Sequence, residues 1–368
     1  MGMGRMAGAA LALVVTATTG AGTAWSGTGT DVGRMSLREK VGQLVMFAPR
    51  GHGLSEAERE VMRRQDIGGV ILFAQNYADR AQLEELTEQI QRVVRSGTRH
   101  SIGALISVDQ EGGVVKRFPD MPPWRSHPEI GETGSTSIAF DEGRAAGRAL
   151  RRAGVNINLA PVADLDLPPE RVMRSRSFGS RPRRVARLTH WFARGLQRAG
   201  TAATAKHFPG LGGATVNSDD GRAYVYRSRR QLRRTDAVPF HKAIEGNVRL
   251  VMLSHGIYVN HGGNRPASVN FFIATKRLRK EFDFQGVAIS DALEPVSWRF
   301  EGSTPRACKA TIQAGVDIAL ITGDVYAARR CARAIRQGVI SGDIPRPRMN
   351  RAVERVLRLK RWLGLLPG

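Results

Sequence analysis

Thr201-Ala-Ala-Thr-Ala-Lys206-His207-Phe-Pro-Gly210-Leu211-Gly212-Gly213-Ala-Thr-Val-Asn217-Ser218-Asp219-Asp220 runs from a small, β-leaning segment through a basic pair into a glycine-rich loop and a cluster of acids. A strand that ends in polar side chains and hands on to a flexible loop is how sites are built at the C-terminal ends of barrel strands. The same residues would also serve an ordinary turn, with glycines for positive φ and Asn and Asp for local hydrogen bonds. The flanking chain decides between the two.

Short apolar strands recur on both sides of this stretch: Gly42 to Phe47, Gly69 to Phe73, Gly103 to Asp109, Val155 to Ala160, Ala202 to Ala205, Arg249 to Ser254, Gly286 to Ser290 and Asp317 to Ile321. Helical patterns alternate with them: Ser55 to Gln65, Arg80 to Ser96, Asp141 to Ala153, Arg183 to Ala199, Pro239 to Glu245, Lys276 to Phe282, Thr304 to Gly315 and Val325 to Ser341. A ninth pattern, Pro345 to Leu363, closes the chain, and Ser36-Leu-Arg-Glu39 reads as a capping box that opens a helix. Alternation of buried-type strands with helices predicts an α/β fold with a parallel sheet. Eight repeats in a single domain predict a (β/α)8 TIM barrel. An open doubly wound sheet is the competing architecture. It usually carries a glycine-rich dinucleotide loop after the first strand, and none is present.

Polar residues gather where the strands end. Strand three ends at Asp109, followed by Gln110, Glu111 and then Lys116-Arg117. Strand four leads through Asn156 and Asn158 to Asp164 and Asp166, then Arg174, Arg176 and Phe178. Strand five ends at Lys206-His207, strand six at Ser254-His255 and strand seven at Ser290-Asp291. One such residue would be a helix cap. Five strand ends carrying them would converge on one mouth.

Composition narrows the partners. The 368 residues include 56 Lys and Arg against 33 Asp and Glu, a net charge of +23. The excess is dispersed in Arg-Arg pairs from 63–64 to 329–330, with no aromatic-interleaved basic block, so no nucleic-acid partner is expected. A basic surface suits an anionic partner such as a cell-wall polymer, unless it reflects only an Arg-rich coding bias. Residues 1–30 read as a signal peptide or a disordered start, with Arg5 before an apolar run from Ala7 to Thr19. That run is too short to predict a membrane span. Residues 31–368 are then the barrel, expected to be secreted or cell-wall associated. Cys308 and Cys331 could pair in an oxidising compartment, but sequence alone does not place them within bonding distance.

The mouth holds several carboxylates together with Lys, Arg and His, and no metal-ligand spacing, phosphate loop or serine elbow. No metal or cofactor is implied. Carboxylates accept from sugar hydroxyls, Arg and Lys donate to them, and a fixed carboxylate can attack an anomeric carbon. The chain resembles the single-domain β-N-acetylglucosaminidases of glycoside hydrolase family 3. Lys40-Val-Gly-Gln-Leu, Gly68-Gly-Val-Ile-Leu-Phe, Val108-Asp-Gln-Glu-Gly-Gly-Val-Val-Lys-Arg117, Asn156-Ile-Asn-Leu-Ala-Pro-Val-Ala-Asp164, Arg176-Ser-Phe-Gly179, Lys206-His-Phe-Pro-Gly210 and Ile289-Ser-Asp291 carry the resemblance in family order. It implies a carbohydrate substrate, β-linked N-acetylglucosamine of cell-wall or chitin origin, and a retaining two-step hydrolysis. It also implies Asp291 as nucleophile, within Ser290-Asp291-Ala292-Leu293, and Asp109, Arg117, Arg176, Lys206 and His207 as substrate-binding residues.

One departure stands out. The family's glucosaminidases follow Lys-His-Phe-Pro-Gly with a His and then an Asp-Ser-His, whose Asp and His form the acid/base dyad. Here those positions read Leu211 and Asn217-Ser218-Asp219. Asp219, or less directly Asp220, would serve as a carboxylic general acid if its pKa were raised. His255 or Glu294 are the other candidates. Without any acid, the chain would bind wall glycan or cleave only good leaving groups. A β-glucosidase-like activity is a further alternative, although such enzymes usually carry a second domain.

Overall fold

The computed structural model describes residues 1–2, 29–97 and 100–367. The signal-like run thus lies outside the described residues. Eight parallel strands pair in chain order: β1 Val45–Phe47, β2 Gly69–Leu72, β3 Leu105–Val108, β4 Ile157–Asn158, β5 Ala202–Phe208, β6 Leu250–Leu253, β7 Val287–Ser290 and β8 Ala319–Leu320. The ring closes where β8 pairs with β1 (Val45 opposite Ala319) and where Ile289 bridges Ile318. Every predicted strand is present, and the expected (β/α)8 barrel is the fold.

Helices cover the outside: α1 Glu56–Gln65, α2 Arg80–Gly97, α3 Thr136–Arg152, α4 Pro182–Arg198, α5 Val238–Glu245, α6 Phe272–Glu281, α7 Thr304–Ala314, α8 Val325–Ile340 and α9 Arg346–Trp362. Their starts follow local chemistry. Ser36 and Ser55 each accept from the amide three residues on, while Glu39 and Glu58 reach back to the cap amides. In α4, Val185, Leu188, Phe192 and Leu196 recur at helical spacing and bury one stripe, leaving most of its arginines facing water. α3 crosses α4 at close range: a Cβ on Gly143 would lie 2.2 Å from the Phe192 carbonyl oxygen.

Several boundaries differ from the sequence reading: β5 runs on to Phe208 rather than stopping at Ala205, α6 starts at Phe272 rather than Lys276, and β4 and β8 are shorter than read. Gln43 caps the short leading helix Leu37–Gly42, so β1 starts at Val45 rather than Gly42. α3 starts at Thr136 rather than Asp141, because the Ser135 side chain accepts from the Ile138 amide and opens the helix early. Cys308 of α7 and Cys331 of α8 form a disulfide, with their Cα atoms 5.6 Å apart. Among the described residues, no helix is long and apolar enough to cross a membrane.

Candidate active site

β5 presents two adjacent side chains to the mouth. In a regular strand neighbours point to opposite faces, but the pairing of β5 with β6 shifts register between Ala205 and Phe208. Lys206 and His207 both line a cavity of about 520 Å³ at the C-terminal ends of the strands. Asp109, Arg117, Arg176, Asn217, Asp219 and Asp291 line it too. The cavity's size suits a sugar ring with room for its neighbour. Asp220 does not line it; it sits exposed on the loop.

Buried ion pairs fix the floor. Lys206 Nζ lies 2.5 Å from Asp109 Oδ1 and 2.7 Å from Glu111 Oε1. Arg176 grips Glu111 with two parallel bonds of 3.0 and 2.7 Å. Burial pushes the Glu111 carboxyl up, yet Lys206 and Arg176 outweigh it and hold the group well below the ordinary carboxylate range. Burial likewise disfavours the Lys206 ammonium, while Asp109 and Glu111 raise its pKa above the usual lysine value. His127 packs behind this group, its Nδ1 3.0 Å from the Arg176 carbonyl oxygen, and burial pulls its pKa down to about 4. Arg117 rests over the Phe73 ring at 5.3 Å.

Asp164, just past β4, orders the next layer. Its Oδ2 accepts from the His207 amide at 3.0 Å and lies 2.6 Å from His207 Nδ1, while its Oδ1 accepts from the Leu211 amide at 2.7 Å. One carboxylate thereby fixes the imidazole and the first turn of the loop after β5. That loop also packs closely on the β4 side, since a Cβ on Gly212 would fall 1.9 Å from the Leu165 carbonyl oxygen. His207 Nε2 then points toward Asp291 Oδ2 at 4.0 Å.

Asp291 follows β7. Its Oδ1 accepts from the Ala292 amide at 2.8 Å. Burial raises its pKa, but His207, His255 and that amide hold the carboxyl below the ordinary value. Asp219 moves the opposite way. Its side chain is exposed, yet the protein around it still disfavours its charge, and Asp291 adds repulsion, so its pKa is raised. Asn217 shapes this turn, its side-chain oxygen accepting from the Asp219 amide at 3.3 Å.

The Asp219 loop is latched from the β7 side. Arg299 donates to the carbonyl oxygens of Ser218 (2.8 Å), Gly221 (3.1 Å) and Asp219 (3.0 Å). In return Arg222 donates to the Arg299 carbonyl oxygen at 3.0 Å and covers the Phe300 ring. Of the other two acid candidates, Glu294 lines the same cavity and His255 does not. His255 Nε2 lies 2.5 Å from the Ala292 carbonyl oxygen and its Nδ1 2.8 Å from Ser268 Oγ. Glu294 Oε1 accepts from the amides of Thr322 and Gly323.

The sequence reading passed over Glu111, Asp164 and Arg299 as site residues. Glu111 sits inside the Asp-Gln-Glu-Gly-Gly run and Asp164 ends the Asn156-to-Asp164 run, so both carried a signal. Arg299 carried none, being one arginine among many.

Two carboxylates driven apart in acidity, set among cations suited to sugar hydroxyls at a barrel mouth, equip a hydrolase of glycosidic bonds. Residues 36–359 match the glycosyl hydrolase family 3 N terminal domain. The β-hexosaminidase of Nitrosomonas eutropha is 35% identical over 287 residues, covering 76% of this chain and 80% of that protein. A β-hexosaminidase of Pseudomonas aeruginosa is 33% identical over 291 residues, with coverage of 78% and 84%. A solved family 3 β-N-acetylglucosaminidase from Paenibacillus sp. str. FPU-7 superposes with a TM-score of 0.85 at 31% identity, covering 91% of this chain and 64% of that longer one. The chain belongs to glycoside hydrolase family 3 and is a glycosidase.

Proposed function

We propose that the chain is a retaining β-N-acetylhexosaminidase. It removes terminal β-linked N-acetylglucosamine from cell-wall or chitin-derived glycans, with Asp291 as nucleophile and Asp219 as acid/base. The β-hexosaminidase relatives support the substrate class, and one observation carries the chemistry: Asp291 and Asp219 line one cavity, where the Asp291 carboxyl is held below its ordinary pKa and that of Asp219 is raised. Asp109, Lys206, Arg176, His207 and Arg117 would hold the sugar's hydroxyls. An Asp291 oxygen attacks the anomeric carbon as its bond to the aglycone oxygen breaks, and Asp219 gives its proton to that oxygen. Water then attacks the same carbon, Asp219 takes the proton, and Asp291 leaves as carboxylate.

Export to the cell wall is part of the proposal. The apolar run from Ala7 to Thr19, the Cys308–Cys331 bond and the +23 charge, suited to anionic wall polymer, support it. The replaced dyad favours a second reading, a glycan-binding member with impaired turnover. The test compares an aryl β-N-acetylglucosaminide bearing an acidic phenol with a GlcNAc–MurNAc disaccharide, using Asp291→Asn as control. Comparable cleavage of both supports a working acid. Turnover of the aryl glycoside alone supports the impaired reading, and full activity in Asp291→Asn removes Asp291 from its role.

A further inference from the structure

The outer face of α4 carries a row of arginines. Arg183, Arg187, Arg194 and Arg198 are all exposed. At about 100° per residue, all four fall within about 60° of one another, along about 22 Å of helix axis. The helix contains no Asp or Glu. Other surface helices set an acid four residues from an arginine, as α1 does with Glu60 and Arg64 and α2 with Glu88 and Arg92. α4 instead sets Arg183 against Arg187 and Arg194 against Arg198, and like charges at that spacing repel. The guanidiniums of Arg183, Arg187 and Arg198 make no hydrogen bond or ion pair among the described residues. Arg194 lies over the half-buried Trp191 ring at 5.0 Å.

The neighbouring helices widen the row rather than neutralise it. α3 packs so closely that a Cβ on Gly195 would fall 2.1 Å from the Phe140 carbonyl oxygen, and one on Gly147 would fall 2.9 Å from that of Leu196. The exposed Arg148 and Arg152 of α3 therefore flank the C-terminal half of α4. Acids on the adjoining helices are engaged: Asp141 of α3 with Arg144 at 3.7 Å, and Glu245 of α5 with Lys242 at 3.2 Å. Exposed Glu132, on the short helix His127–Thr133 that also touches α4, is a single opposing charge. α8 likewise lacks acids, but it packs against α1, which brings the exposed Glu56 and Glu60.

We propose that this face of α4 and α3 binds a linear phosphodiester polymer of the cell wall, of the poly(glycerol phosphate) kind. The proposal rests on the export proposed above. Guanidinium forks suit phosphate oxygens, and a row of separate, exposed cations meets the successive charges of an extended chain better than it meets one small ion. No large apolar side chain is exposed on α3 or α4. The face therefore lacks both the rings that stack on nucleic-acid bases and the apolar anchors that enter a membrane. The row runs down the flank of the barrel, so a bound polymer leaves the mouth open and holds the glycosidase beside its substrate.

Titration of the full chain with poly(glycerol phosphate) over a series of chloride concentrations tests the proposal. Salt-sensitive binding is expected. Arg187→Gln/Arg194→Gln should weaken it at least about tenfold and make the log–log salt dependence shallower by about 1.4, about 0.7 for each lost phosphate contact. Arg329→Gln/Arg333→Gln on α8 removes the same charge and should change affinity by less than about twofold. Unchanged melting temperatures establish that both variants are folded. An equal loss in the two variants overturns the row, as does absence of binding. Tighter binding to an oligonucleotide of equal phosphate number, or to phosphatidylglycerol vesicles, overturns the choice of partner. Fractionation of cells expressing the full chain separates the two readings: absent binding by a secreted chain sinks the row alone, and a chain confined to the cytoplasm sinks the wall assignment even where the polymer binds.

Discussion

Replacing Arg299 with methionine isolates the contribution of loop position to catalysis. Arg299 touches neither the cavity floor nor a side chain proposed to react; its guanidinium meets three carbonyl oxygens of the loop that carries Asp219. At about 1 kcal/mol net for each bond, and allowing water to replace part of the loss, the variant releases about 2–3 kcal/mol of hold on the loop. That changes the ratio of held to released loop by roughly 30- to 150-fold. If the held form outweighs the released one by a similar factor, about half or more of the molecules lose a correctly placed acid. The cost falls selectively on substrates that need a proton delivered. The assay is kcat/KM across aryl β-N-acetylglucosaminides with phenols of graded acidity, plus the disaccharide. Arg299→Met should slow the disaccharide by about two- to sixfold and leave the most acidic phenol nearly unchanged, steepening the dependence on leaving group. Arg299→Lys, able to reach one carbonyl, should fall between. Equal losses on every substrate would refute the reasoning, because they would mean that Arg299 supports Asp291 or the fold rather than the acid.

The opposed acidities of the two carboxylates give a pH signature. The rising limb of kcat/KM belongs to Asp291, whose lowered pKa lets it ionise early, and the falling limb to Asp219, because raising the pH through its raised pKa removes the proton that the leaving oxygen needs. With an activated aryl substrate, Asp219→Asn should abolish the falling limb and keep the rising one; an unchanged profile would assign the acid elsewhere. Lys206→Met should destabilise the fold by about 3–5 kcal/mol in urea titration, since it leaves the buried Glu111 and the half-buried Asp109 with too little positive charge. Adding Glu111→Gln should restore part of that loss, and a cost below about 1 kcal/mol would contradict the buried pairing.

The barrel was legible because its strands are buried on both faces and read as unbroken apolar runs, each followed by a helix of clear period. The residues proposed as nucleophile and sugar ligands were legible as a group because polar side chains at strand ends converge on one mouth, while their separate roles came from the family resemblance. The proposed acid/base position was reached only by counting through a loop, and counting says nothing of acidity. The raised pKa of Asp219 comes from protein packed around it and from Asp291, which lies far along the chain. Glu111 was passed over because its role depends on Arg176 and Lys206, which arrive from the turn after β4 and from β5. The Arg299 latch binds carbonyl oxygens, groups that every residue possesses, so no side-chain pattern announces it. The disulfide stayed open for a related reason: two cysteines on separate helices meet only once those helices pack.

That disulfide joins α7 and α8, the helices on either side of the two-residue strand that completes the ring. The cross-link encloses a segment with a sequence separation of 23, and its loss would return about 3 kcal/mol of chain entropy to the unfolded state. The last strand to join the ring is thus covalently hooped from outside, and the strength of the hoop follows the redox potential of its surroundings. A cell that keeps this chain among reduced thiols would hold a looser barrel than one that releases it beyond the reach of glutathione.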